Sequence, residues 1–112
     1  MLANTPKPPY YAVIFTNILT KEAQDILYAN AQLLKGAPAL KVVVEGHTDE
    51  RGSREYNIGL GERRSQSVRR VLMLQGAQDS QIITVSFGEE CPAEFGSSED
   101  AWAKNRRVEI QY

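Results

Sequence analysis

The chain contains few of the residues that build disulfides, metal clusters or membrane spans. Its 112 residues include one cysteine, one histidine and one tryptophan. The single cysteine, Cys91, forms no disulfide within the chain, so the redox compartment cannot be inferred from it. No hydrophobic run approaches the roughly 18 residues of a transmembrane helix. The N-terminal residues also lack the charged and apolar regions of a signal peptide.

The charges are nearly balanced and lie interspersed along the chain. Thirteen basic and fourteen acidic side chains give a formal net charge of −1. This balance argues against nucleic acid or an anionic membrane surface as the main partner. With 42% hydrophobic residues, the chain can bury one core without disulfides. We therefore predict a single domain over residues 11–112, preceded at 1–10 by an extended lead-in or the end of a tether.

Hydrophobic periodicity and turn residues predict the order of elements. Strands are expected where short apolar runs stand between turn signals, and helices where apolar residues recur at steps of three and four. Thr20 and Ser53 are predicted N-caps, and Gly36 and Gly76 are expected to end the two long helices. The predicted strands are 11–15, 40–45, 82–87 and 108–112. The first predicted helix runs from the cap at Thr20 to the stop at Gly36, the second runs from near Arg54 to about Leu74, and a short helical turn is expected around Trp102.

This order predicts an α/β fold, an α+β two-layer sandwich of the type β-α-β-α-β-β. The helices are expected to pack on one face of a mixed four-stranded sheet. Because crossover helices join successive strands, we expect much of the sheet to be parallel. Loops that lead from strand ends into helices are then the expected place for a functional site.

An arginine interrupts the apolar stripe of the second predicted helix. A guanidinium stays charged in a protein, so one at the edge of a core needs a carboxylate from the chain or from a ligand. Asp49, where the second strand gives way to a loop, is the nearest candidate. The loop between Asp49 and Arg64 would let the helix fold back and bring both side chains to one cleft. Arg64 shares its helical face with Tyr56, Leu60, Val68, Val71 and Leu72.

Opposite charges in one cleft have two interpretations. Asp49 and Arg64 either pair with each other and fix the loop to the helix, or they bind the two charges of a zwitterionic ligand. In the second case the carboxylate binds an ammonium and the guanidinium binds a carboxylate in a bidentate manner. An α-amino acid end group is such a ligand.

Several spaced sequence blocks resemble one protein family. The chain contains, in this order, VVVEGHTDERGSREYNIGLGERR, VSFGEE and NRRVEI. These blocks resemble the OmpA C-terminal-like domains, and most closely their peptidoglycan-associated lipoprotein branch, over nearly everything from Thr20 to Tyr112. The resemblance implies noncovalent binding of peptidoglycan, with the diaminopimelate group of the peptide stem held by Asp49 and Arg64. The residues expected beside them are Thr48, Asn57 and Leu60.

The loop after the first strand departs from the family pattern. Family members usually carry an aromatic residue and an aspartate in a longer loop, whereas this chain passes from Phe15 to Thr20 without an acidic residue. Phe15 remains a site candidate, and so does Asn17, because backbone amides at Thr16 and Asn17 could contact a carboxylate. The short loop supports an alternative, which is an OmpA-like structural module of a secretion or flagellar-type envelope assembly with weakened or lost peptidoglycan binding.

Enzyme and metal-site interpretations have less support. His47 lies near Asp49 and Glu50, but no further histidine or cysteine completes a zinc site. No G-x-S-x-G elbow or phosphate-binding glycine loop occurs, so we expect no catalysis, cofactor or metal. The resemblance implies a periplasmic, outer-membrane-associated protein whose anchor is not visible in this chain, with a Tol-system or other envelope-complex partner. The side chains expected to anchor the last strand rather than touch a ligand are Asn105, Arg106 and Arg107.

Overall fold

The four strands form one mixed sheet, and the helices pack against it. The computed structural model describes residues 11–15 and 19–112. In chain order the elements are β1 (Tyr11–Phe15), α1 (Lys21–Gly36), β2 (Val42–His47), α2 (Arg54–Leu74), β3 (Ile82–Gly88), α3 (Glu99–Asn105) and β4 (Arg107–Gln111). The predicted fold class and element order are confirmed, and α3 supplies the helical turn expected around Trp102.

The strand order β1-β4-β2-β3 corrects the expectation of a largely parallel sheet. Strands β2 and β3 pair in parallel across the α2 connection. Strand β4 lies between β1 and β2 and runs antiparallel to both. Strands β1 and β2, which α1 connects, therefore lie one strand apart, and β4, the last strand in the chain, lies between them. As a result, the start of β4 lies beside the end of β2.

Side-chain caps fix where the two long helices begin. Thr20 accepts a hydrogen bond from the backbone N–H of Ala23, and Ser53 accepts one from Tyr56, each at 3.1 Å. Such caps typically contribute about 1 kcal/mol to helix stability. Both predicted caps are confirmed. Because α2 starts directly after the loop at 48–53, its first turns lie next to the end of β2.

Strand β2 begins and ends later than predicted. The backbone N–H of Leu40 donates to the carbonyl of Ala37 at 2.9 Å, so this residue belongs to a turn rather than to the strand. At the other end, His47 still pairs with Gly88 of β3 and Arg107 of β4. The shift brings His47 into the sheet and leaves Thr48 as the first residue of the loop.

The core lies between the sheet and the two long helices. Apolar side chains from both layers are fully buried, and each large aliphatic residue removed from water contributes roughly 1.5–3 kcal/mol. The aliphatic side chains with no exposed surface are Leu27, Ala31, Leu34, Val42, Val44, Val68, Leu72 and Ile110. Val42 and Val44 alternate along β2, which assigns one face of the sheet to this core.

The buried face of α2 differs from the predicted stripe in the first half of the helix. Val68 and Leu72 are buried as expected, but Tyr56 is 57% exposed. The buried positions of the first half are instead small or polar. They are Asn57, Gly61 and Ser65.

A close approach of two backbones explains this difference. A Cβ atom added at Gly46 of β2 would overlap the carbonyl oxygen of Gly61 on α2. One added at Gly61 would overlap the Ser86 hydroxyl of β3 and lie 2.9 Å from the Gly46 carbonyl oxygen. Paired glycines thus let the helix backbone rest directly on the sheet, where no apolar side chain would fit.

Candidate functional site

A cavity of about 370 Å³ opens where the loop after β2 meets the first turns of α2. It brings together five of the seven residues that the sequence predicts for the site, namely Thr48, Asp49, Asn57, Leu60 and Arg64. The cavity is also lined by four residues that were not predicted, namely Arg51, Gly52, Tyr56 and Arg106.

The two remaining candidates belong to the first strand and the loop after it. Phe15 is 54% exposed at the end of β1 and is not among the residues that line the cavity. Its backbone pairs with Arg107, so Phe15 lies at the same end of the strands as the cavity. Asn17 lies outside the described residues.

Asp49 is held by two arginines, and neither is Arg64. Its side chain accepts hydrogen bonds from Arg51 Nε at 3.1 Å and Nη2 at 2.7 Å, and from Arg106 Nη1 at 3.2 Å. The backbone N–H of Arg51 donates to the same carboxylate at 2.9 Å. Hydrogen bonding by the Arg51 side chain lowers the pKa of Asp49 to about 2, against the opposing effect of burial. The direct pairing of Asp49 with Arg64 that one interpretation expected is therefore not what the fold contains.

Arg64 bonds the backbone at the end of β2. Its Nη1 donates to the carbonyl oxygen of His47 at 2.8 Å. Burial lowers the pKa of Arg64, and the charge of Asp49 opposes this effect. A guanidinium has five N–H donors, so the bond to His47 is compatible with a bidentate contact to a ligand carboxylate.

Buried polar side chains hold the loop that carries Asp49. Thr48 and Asn57 are 3% and 1% exposed. Thr48 donates from its backbone N–H to Gly88 and from its hydroxyl to the Asp49 carbonyl, at 2.9 and 3.0 Å. Asn57 Nδ2 donates to the Arg51 carbonyl at 2.9 Å and to the Glu89 carboxylate. These hydrogen bonds therefore hold the loop that carries Asp49 in a fixed conformation.

The short helix α3 supports the same loop from its other side. The guanidinium of Arg51 lies over the Trp102 ring, 4.3 Å from its centroid. The neighbouring Glu50 accepts hydrogen bonds from Ser97 and from Trp102 Nε1, the latter at 3.2 Å. Arg51 thus has two partners, a carboxylate and an aromatic face, which hold a side chain that is still 52% exposed.

Arg51 and Arg106 are the charged residues that sequence reasoning missed. Arg106 and Arg107 were both expected to anchor β4, and Arg107 does so by donating to the carbonyls of Asn105 and Cys91 at 3.2 and 2.8 Å. Arg106, one residue earlier, instead donates to Glu99 of α3 at 2.7 Å and to Asp49 at 3.2 Å. Arg106 is the C-terminal cap of α3, just before β4, so strand alternation does not give its direction. Only the position of β4 beside β2 reveals that Asp49 is its partner.

The charge balance of the cavity favours an anionic group. Its charged lining consists of one carboxylate and three guanidinium groups, from Asp49, Arg51, Arg64 and Arg106. Glu99, which does not line the cavity, also pairs with Arg106 at 2.7 Å, so the positive charge still exceeds the negative charge by one. The Asp49 carboxylate already has two of the guanidinium groups as partners, at 2.7 and 3.2 Å. Among the described residues, no carboxylate forms an ion pair with Arg64. Its guanidinium is therefore the cation available to a carboxylate of a ligand.

Together, the two-layer fold and the charged cavity define an α/β module with a candidate ligand site. None of the helices in the described part of the chain has the length and apolarity needed to cross a membrane. The chain belongs to the OmpA family, whose model matches residues 16–106.

Relatives with curated names place the chain in one branch of that family. It is 48% identical to the peptidoglycan-associated lipoprotein of Pseudomonas aeruginosa over 102 residues, which cover 91% of this chain and 60% of the relative. It is 53% identical to the protein of the same name from Pasteurella multocida over 91 residues, covering 81% and 61%. The chain thus spans about 60% of the length of these relatives.

One solved structure agrees with this placement, and a second shares the fold. The crystal structure of the peptidoglycan-associated lipoprotein from Burkholderia pseudomallei superposes with a TM-score of 0.88 at 36% identity, covering 99% of this chain and 98% of that one. The periplasmic domain of Helicobacter pylori MotB reaches 0.73 at 22% identity, covering 89% and 73%. At that identity the likeness to MotB concerns the fold alone.

Proposed function

We propose that this domain binds peptidoglycan noncovalently by holding the diaminopimelate group of the peptide stem in the cavity between β2 and α2. The observation that carries the proposal is the convergence of Asp49 and Arg64 on one cavity. Thr48, Asn57 and Leu60, which complete the motif in the sequence, line the same cavity. The names of the relatives from Pseudomonas, Pasteurella and Burkholderia support the proposal.

The carboxylate of the diaminopimelate end group would bind Arg64. Burial of the guanidinium removes competing water, and a fork of N–H donors matches the two oxygens of a carboxylate. Arg51 and Arg106 add positive potential at the mouth and wall of the same cavity. Leu60 provides an apolar contact for the methylene groups of the ligand.

The ammonium of the same end group would bind Asp49. Asp49 already pairs with Arg51 and Arg106, so the ammonium must replace one of these arginines or share the carboxylate with them. The two arginines differ in burial. The Arg51 side chain is 52% exposed, whereas that of Arg106 is 21% exposed. Because the Arg51 guanidinium is half exposed, water can replace its lost contacts more readily than those of Arg106. We therefore expect the incoming ammonium to displace Arg51, which returns to solvent, while Arg106 stays on the carboxylate.

This function is anchoring rather than catalysis. A domain that holds peptide stems from the periplasmic side would tie an outer-membrane-associated protein or an envelope complex to the cell wall. A Tol-system protein is the partner that the lipoprotein branch suggests. The anchor and any such partner would be properties of the whole protein, of which the matched region is about 60% in the curated relatives.

Calorimetric titration with a soluble diaminopimelate-containing muropeptide tests the proposal. Truncating one member of a desolvated charge contact costs about 2–5 kcal/mol, so Arg64→Ala and Asp49→Ala should each weaken binding by roughly 30-fold or more. Arg70→Ala is the matched control, because this arginine of the same helix is exposed and does not line the cavity. It should bind like the wild type.

Two results would overturn the proposal. Wild-type affinity in both cavity variants, with the fold intact by circular dichroism, would place binding elsewhere. Failure of the wild type to bind any muropeptide would favour the structural module of an envelope assembly, which the short loop after Phe15 suggested.

A further inference from the structure

A second polar cluster lies on the opposite face of the sheet from the core. Val42 and Val44 of β2 point into the core, so the alternate residues Glu45 and His47 point to the other face. Strand β4 adds two more side chains to this face, because its register pairs Glu109 with Glu45 and Arg107 with His47. These four residues form the central cluster, and none of them lines the ligand cavity.

The acidic members of the central cluster surround one nitrogen of the histidine. His47 Nε2 lies 3.4 Å from Glu45 Oε1 and 3.9 Å from Glu109 Oε2. One ligand atom from each of the three residues lies within 4.8 Å of the other two. The side chains of Glu45 and Glu109 are only 17% and 13% exposed, and His47 is 2% exposed. Two carboxylates are therefore brought together at a mostly buried position.

The positive charge within the central cluster is unevenly shared. Arg107 pairs with Glu109 through its Nε, and Tyr11 donates its hydroxyl to the other Glu109 oxygen at 3.2 Å. Among the described residues, the side-chain partner of Glu45 is the His47 ring alone. Like charges directly opposite each other on neighbouring strands are destabilising. One arginine offsets part of this repulsion and leaves the two glutamates with a net negative charge.

The histidine ring is also not fully satisfied. Its second nitrogen, Nδ1, is buried without a hydrogen-bond partner among the described residues. The ring stacks on Phe87, with centroids 5.4 Å apart and an interplanar angle of 20°, so packing fixes its plane. Both carboxylates face the other ring nitrogen, Nε2, which the packing on Phe87 holds in one orientation toward them.

We propose that Glu45, His47 and Glu109 bind a divalent zinc ion. Zinc binds imidazole nitrogen and carboxylate oxygen at about 2.0–2.2 Å in tetrahedral geometry, which places neighbouring ligand atoms roughly 3.3–3.6 Å apart. The separations of 3.4 and 3.9 Å around His47 Nε2 are close to this spacing. Water would take the fourth position. Tyr11 holds the other oxygen of Glu109 from outside, as second-shell partners hold the ligands of zinc sites. Arg107 donates to Oε2 itself, so this oxygen would share its lone pairs between the guanidinium and the ion.

This site differs from the one that the sequence suggested and rejected. His47 was first considered with Asp49 and Glu50, its neighbours in the chain. The fold sends Asp49 to the arginines of the cavity and Glu50 to Ser97 and Trp102. Glu109 reaches His47 only because β4 inserts beside β2. The ligand set is therefore visible in the structure and not in the local sequence.

Titration of the untagged, metal-free chain with Zn²⁺ tests the proposal. The Cys91→Ser variant serves as the background, because the exposed thiol of Cys91 could bind zinc on its own. We expect one saturable equivalent of Zn²⁺ by calorimetry. His47 is the only histidine in the chain, so its ring signals in a nitrogen–proton NMR spectrum are unambiguous. They should shift in step with the calorimetric titration.

Two carboxylate variants in the same background make the test specific. Glu45→Gln removes a ligand whose described partner is only the histidine, and should weaken Zn²⁺ binding by at least about tenfold. Glu62→Gln on the exposed surface of α2 is the matched control and should bind like the background protein. No saturable binding would overturn the proposal. Binding that leaves the His47 signals unmoved, or that survives Glu45→Gln unchanged, would do so equally.

Discussion

The two halves of α2 have different kinds of residue on the buried side of the helix. The second half presents Val68 and Leu72, both fully buried, to an apolar core. The first half presents Asn57, Gly61 and Ser65, and its neighbouring positions Leu60 and Arg64 line the cavity. One half is held by apolar burial and the other by close backbone packing and hydrogen bonds. A single helix can thus carry both a stable core and a charged site, because the two are one to three turns apart.

Removing a large side chain from the apolar half should have the largest effect on stability. Leu72→Ala leaves a cavity in the core, and such changes typically cost about 2–5 kcal/mol of unfolding free energy. Denaturation in urea measures the loss. Muropeptide affinity of the folded protein should be unchanged, because Leu72 does not line the cavity. A stability close to that of the wild type would show that the core does not depend on this half of the helix.

Two glycines of the polar half should respond with opposite signs. Gly61→Ala forces a methyl group against the Ser86 hydroxyl and the Gly46 backbone, so we expect a loss of about 1–3 kcal/mol. Gly59→Ala meets only the end of the Arg63 side chain at 3.5 Å, and should stabilise the helix by about 0.5–1 kcal/mol. The pair of unfolding curves provides its own control. Equal effects of the two substitutions would contradict the close packing of α2 on β2.

The loop before α2 should make part of the stability depend on pH. Asp49 has a pKa lowered from 3.8 to about 2 by its arginine partners. A lowered pKa in the folded state stabilises the fold above the unfolded pKa, and this contribution, about 2 kcal/mol, is lost as the pH falls from about 4 to 2. The difference in unfolding free energy between wild type and Asp49→Asn should therefore shrink over that range. A constant difference between about pH 5 and pH 2 would contradict the arrangement.

The outward side of the polar half should matter least for folding. Tyr56 is 57% exposed, and its described ring contact is the Arg63 guanidinium at 5.9 Å from the centroid. Exposed contacts of this kind are worth about 0.5–1 kcal/mol, so Tyr56→Ala should lower the unfolding free energy by no more than that. A loss of unfolding free energy as large as that of Leu72→Ala would contradict this exposed position and support the predicted apolar stripe, in which Tyr56 belongs to the core.

Local sequence signals predicted the elements because each has a local cause. The cap at Thr20 and the cap at Ser53 depend on hydrogen bonds three residues away, and both were found where predicted. The pairing of β4 between β1 and β2 has no local cause, because it joins residues that are far apart in the sequence. The expectation of a mostly parallel sheet was wrong for this reason.

The same distinction applies to the candidate site. Asp49 and Arg64 were predicted to share a cleft because a strand–loop–helix unit brings them to one edge, and they line one cavity. Arg106 was assigned to strand anchoring, because its partner lies 57 residues away along the chain. The exposure of Tyr56 was also missed. Helical periodicity alone does not reveal that the close packing of Gly61 on Gly46 places the Gly61 side of the helix, and not the Tyr56 side, against the sheet.

The most direct measurement is the selectivity of the wild-type domain between two peptide stems. Diaminopimelate ends in an ammonium and a carboxylate, whereas lysine at that position offers the ammonium alone. With a lysine stem, Arg64 would be desolvated without a ligand carboxylate, at a cost of roughly 1–3 kcal/mol. Calorimetry in one buffer should therefore show a preference for the diaminopimelate fragment of at least about tenfold, which Arg64→Ala largely removes. Equal wild-type affinity for the two stems would contradict the roles proposed for Asp49 and Arg64.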